Sequence, residues 1–87
     1  MVLLSKQMLI NYRIFVNTKS GQTELKIEIN SNEIIFRARG CRTETSLSRA
    51  KHHPSSISNS IIALISDIYI YELEAVINEL LSSIKGA

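Results

Sequence analysis

Apolar and polar residues change period along this chain, and the change divides it in two. Residues 9–17 alternate: Ile10, Tyr12, Ile14 and Val16 fall on one side, Asn11, Arg13 and Asn17 on the other. That period of two predicts a strand with one buried face. Residues 18–22 (Thr-Lys-Ser-Gly-Gln) read as a turn in which Gly21 is free to take positive φ. Residues 23–30 alternate most cleanly, with Leu25, Ile27 and Ile29 inward and Glu24, Lys26 and Glu28 outward. After the polar turn Asn30-Ser31-Asn32, residues 33–39 predict a third strand, with Ile34, Phe36 and Ala38 inward and Arg37 and Arg39 outward. Lys26 and Glu28 then come within reach of Arg37 or Glu33, as the register decides. Short links imply an antiparallel meander.

Gly40 interrupts the alternation. Residues 41–48 are rich in Thr and Ser, and the weak alternation of Thr43, Thr45 and Leu47 predicts a fourth, edge strand or an ordered loop. Residues 48–54 read as a polar, basic link ending at the only proline. Pro54 stands where a helix should begin, and Ser55, Ser56 or Ser58 are the expected caps, accepting a backbone N–H bond.

From there the period is helical. Residues 57–84 hold 17 apolar positions in 28 and four charges, all acidic. Ile62, Ile65, Tyr69, Leu73, Val76, Leu80 and Ile84 form one stripe; Ile57, Ile61, Leu64, Ile68 and Tyr71 add a second in the first half. Glu72, Asn78, Glu79 and Ser82 are expected to face water, and Gly86 is the expected C-cap. A helix apolar on nearly every side must be buried on every side. At 1.5 Å per residue it would run about 42 Å, against roughly 30 Å for a compact domain of this size. One long or gently broken helix is the preferred reading. Two helices parting at Ser66-Asp67 come next, and a short strand at residues 68–71 last.

The fold class is therefore α+β: an antiparallel meander of three or four strands, then a helical segment packed on one face. The 87 residues make one domain, with the sheet at about 7–48, a basic loop at about 40–54 and the helical segment at about 55–85. A chain this short buries only about 60% of its unfolded surface. The unpartnered stripe therefore predicts a homodimer, with Ile61, Leu64, Ile68 and Tyr71 as its contact residues. Tyr69 and Tyr71, beside an apolar face, suit the edge of an interface.

Charge alters this picture in one place. The net +2 divides into +1 over residues 1–36, +4 over 37–53 and −3 over 54–87. Arg37, Arg39, Arg42, Arg49 and Lys51 are thus candidate contacts to nucleic-acid phosphates, although no helix-turn-helix, RRM or KH signature accompanies them.

Candidate chemistry is sparse. The single cysteine, Cys41, has no base partner in view and reads as an incidental residue at a strand end; a lone thiol suits a reducing, cytoplasmic setting. Adjacent His52 and His53 point different ways on an extended chain and make no metal site. Glu72 and Glu79 stand two turns apart, too far to share one substrate atom, and no nucleophile elbow or phosphate-cradling loop occurs. Residues 1–10 lack a basic flank and a small-residue cleavage site, so they do not read as a signal peptide. Asp67, Glu72, Glu74, Asn78 and Glu79 argue against a membrane span at residues 61–84. The expectation is a non-enzyme without cofactor or metal: a homodimeric interaction module (adaptor, inhibitor or regulator) with a further protein partner. The alternative is a nucleic-acid-binding regulator using residues 37–53.

Overall fold

The computed structural model describes residues 10–85. Four strands, β1 (Ile10–Thr18), β2 (Gly21–Ile29), β3 (Glu33–Ala38) and β4 (Cys41–Ser46), form an antiparallel meander in the order β1-β2-β3-β4. Three helices follow: α1 (Leu47–His52), α2 (Ser55–Leu64) and α3 (Ile70–Lys85). The α+β class is as the alternation requires, and β4 is the fourth strand. The expected sheet residues 7–9 and the Gly86 cap lie outside the described residues.

The turns follow local chemistry. Gly21 takes φ +110°, while Arg39 (φ +54°) and Gly40 (φ +78°) supply the two positive-φ positions of a two-residue hairpin. The side-chain oxygen of Asn30 accepts from the N–H groups of Asn32 and Glu33, at 2.8 and 2.9 Å, and closes the β2–β3 turn.

Val16, Leu25, Ile27, Ile29, Ile34, Phe36 and Ala38 bury one face of the sheet against Ile57, Ile61, Leu64, Ile65, Ile68, Leu73, Val76, Leu80 and Ile84. Each of these helical-segment side chains is at least nine-tenths buried within a single chain.

The helical segment is two helices, not one long one. Ile65 leaves helical geometry at φ −130°, ψ +76°, and the chain resumes helix at Ile70. The break is held by β1. Ile68 pairs as an isolated antiparallel bridge with Thr18, Lys19 N–H donates to Asp67 C=O (3.0 Å), and Tyr69 N–H donates to Asn17 C=O (3.3 Å). Arg39 pairs with the Asp67 carboxylate at 2.8 Å, and the Ser20 hydroxyl donates to it as well. Bending there folds most of both stripes into one core with the sheet, while Ile62, Tyr69 and Tyr71 stay exposed, so the buried part of the second stripe needs no second chain to cover it.

Two further expectations are corrected. Residues 48–54 are not a bare link: they hold α1, whose N-cap Ser46 accepts from Arg49 N–H at 3.1 Å and whose last turn carries Arg49, Lys51 and His52. Those basic groups suit the negative end of the helix dipole. The serines of α2 do not cap it either. Pro54 is the cap residue, without a side-chain bond; the Ser58 hydroxyl donates to Ser55 C=O and the Ser60 hydroxyl to Ser56 C=O. The first N–H groups are served by carbonyls instead, Ser56 donating to His53 and Ile57 to Pro54, each at 2.9 Å.

Candidate interaction surfaces

Burial redraws the expected contact set. Ile61, Leu64 and Ile68 are 0, 8 and 7% exposed, so they are core residues and not a self-association surface; of the four, Tyr71 alone is exposed. The reason is the closing of the chain onto β1 at residues 65–69, which helical spacing does not show. The exposed large apolar residues are Ile10, Phe15, Ile62, Tyr69, Ile70 and Tyr71. Tyr69 and Tyr71 stack with ring centres 5.7 Å apart.

Several of these gather at β1, one margin of the sheet. Asn17 uses both its backbone groups outward: its N–H donates to a Glu72 carboxylate oxygen (3.0 Å) and its C=O accepts from Tyr69. Glu72, expected to face water, is thereby a clamp on the strand end. Strand geometry directs the N–H and C=O of one residue to the same side and alternates sides along the chain. Asn11, Arg13 and Phe15 therefore aim theirs away from β2, where no described strand receives them. Edge strands are ordinarily protected by brevity, proline, bulges or charge. The other margin, β4, is short, carries Arg42 and Glu44, and is packed by α2. By contrast β1 is nine residues long with regular pairing, and Arg13 is the single charged side chain it carries. Beside this edge Tyr12 and Ile14 are half-buried on the inner face, and Phe15 is 63% exposed on the outer one. Burial, and secondarily the Glu79 carboxylate, raise the Tyr12 phenol above its ordinary value, so it stays protonated.

Among the described residues no helix packs on the outer sheet face. Register sets Arg13 opposite Lys26, Lys26 opposite Arg37, and Arg37 opposite Arg42. One row across all four strands is therefore basic. The candidate phosphate contacts divide. Arg37 and Arg42 belong to this row; Arg39 stands in the adjoining turn, bound to Asp67 and, at 3.1 Å, to the Thr23 hydroxyl. Arg49 and Lys51 are on α1, away from the row. Arg13 and Lys26 were missed because a row exists only once the register is known.

A polar depression of about 520 Å³ lies between β4 and α2 and is lined by Thr45, Ser56, Asn59 and Arg49 among others. The hydroxyls of Thr45 and Ser56 are buried without a partner there. Cys41 is exposed at the start of β4, whereas His52 and His53 follow its far end, roughly 17 Å along at about 3.3 Å per residue. No group of three His, Cys, Asp or Glu able to hold a metal ion occurs among the described residues. No described helix is long and apolar enough to cross a membrane. No family model, curated protein or solved structure matches the chain.

Proposed function

We propose that the protein is a non-enzymatic interaction module that self-associates by pairing β1 with β1 of a second copy. The observation carrying this reading is the regular, nearly uncharged edge at Asn11–Phe15, which no other strand pairs among the described residues. Its own chemistry selects a like strand. Pairing centred on Arg13 would set two arginines face to face, which is unfavourable. Moving the two-fold axis to Ile14 sets Arg13 of each copy opposite Phe15 of the other, a cation–π pair worth about 0.5–1 kcal/mol at an exposed site. Tyr12 then faces Val16 on the inner side. The backbone groups of Arg13 and Phe15 gain four inter-chain hydrogen bonds, and Asn17 stays with Glu72 and Tyr69.

Sedimentation equilibrium of the wild type and of Phe15→Pro tests this. The Phe15 N–H points away from β2, so proline there removes an edge donor without breaking the β1–β2 ladder. The wild type is expected to reach dimer mass and Phe15→Pro to stay monomeric with an unchanged far-ultraviolet circular dichroism spectrum. Equal association of the two would reject the edge as the interface.

A further inference from the structure

We infer that the outer face of the sheet binds single-stranded nucleic acid by its phosphates, along the row Arg13, Lys26, Arg37 and Arg42. Adjacent strands lie about 4.8 Å apart, so the four charges span about 14 Å in line. Like charges directly opposite destabilise a sheet, and here three such pairs succeed one another. Carboxylates relieve the arginines singly: Glu24 at 3.0 Å from Arg13, Glu28 at 4.0 Å from Arg37 and Glu44 at 2.8 Å from Arg42. These are solvent-exposed pairs, which hold their partners weakly and can yield to a phosphate. Lys26, between two arginines, has no ion pair among the described residues. Beside the row, over β2–β4, lies a shallow depression of about 370 Å³ lined by Lys26, Arg37, Arg39 and Arg42, with Glu24 the one carboxylate among its lining residues.

Two features select a single strand over a duplex. A B-form major groove admits a helix or a two-stranded ribbon, not the face of a four-stranded sheet. Phe15 stands two residues from Arg13 on the same face, 63% exposed, and offers a ring on which a base can stack. Sequence preference is not expected, since nothing in the row reads base edges.

Fluorescence anisotropy with a labelled ten-nucleotide oligothymidylate tests the inference. Four phosphate contacts give a slope of about −2.8 in log K against log salt, or about 50-fold weaker binding at 200 mM than at 50 mM. Lys26→Thr and Arg37→Thr should each lower the slope by about 0.7. Lys26→Thr also removes a charge that stands in two like-charge pairs, with Arg13 and Arg37, so its melting temperature should hold or rise while its affinity falls. A misfolded variant would move both downward. Absent or salt-independent binding, or a Lys26→Thr protein binding as the wild type does, would overturn the inference. Equal affinity for a duplex of the same length would overturn the single-strand assignment. Arg13 and Phe15 also belong to the proposed β1 pairing, whereas Lys26 and Arg37 lie off that edge, so the Lys26 and Arg37 results are read independently of association.

Discussion

Ile61 and Ile62 are neighbours in α2 with the same side chain and opposite environments, 0 and 40% exposed respectively. Truncating each to alanine separates a core role from a surface role. At Ile61 the loss combines transfer free energy with the cavity left among β3, β4 and the helices, about 2–5 kcal/mol for such a site. A domain of 87 residues is expected to hold about 4–13 kcal/mol in all. A loss near the middle of the first range, about 3.5 kcal/mol, lowers the melting temperature by about 15–25 °C at this size. Ile62→Ala should stay within about 0.5 kcal/mol, because alanine's helix propensity offsets the little apolar area lost. Urea unfolding at two protein concentrations tenfold apart is the assay. The Ile61→Ala deficit should be the same at both, with an unchanged denaturant slope. Equal costs at the two positions, or an Ile61 deficit that shrinks as protein concentration rises, would place Ile61 at an interface and not in the core.

Two other consequences concern polar groups. Ser56→Ala removes a buried hydroxyl without a partner and favours helix, so it should stabilise the protein by about 1 kcal/mol in thermal melts; destabilisation would mean that something occupies the depression beside Thr45. Asp67 is held below the ordinary carboxylate range chiefly by Arg39, then by the Ser20 hydroxyl. A depressed folded value makes its contribution full above about pH 4, the unfolded value, and lost as pH falls further through the folded one. Asp67→Asn should therefore be less stable than the wild type at pH 6, and the gap should narrow in melts taken from pH 4 to pH 2. A gap independent of pH would show that the charge on Asp67 does not hold the break.

The sheet was legible because a period of two survives in local sequence: the inward sets at Leu25–Ile29 and Ile34–Ala38 are the ones observed. The position of the break was legible too, in Ser66-Asp67, but its closing was not. The Thr18–Ser20 turn, Arg39 and Asp67 are far apart in sequence, and only the folded hairpins bring them together. Without that latch the second apolar stripe looked unpartnered and pointed to a helical interface. α1 was hidden for a different reason: its six residues carry one fully buried side chain, Ala50, too little to set a period. The basic row depends wholly on register, which the alternation of single strands does not specify.

The proposed self-association brings β1 against a second β1 at Ile14, and a cross-link reads that directly. Residues directly opposite in a pair without hydrogen bonds between them lie about 4.5 Å apart at Cα, within disulfide reach. Ile14→Cys, made in a Cys41→Ser background so that one thiol remains, should convert under mild oxidation to a disulfide-linked dimer on non-reducing gels. A protein that stays monomeric, at concentrations where the wild type sediments as a dimer, would contradict the pairing proposed here.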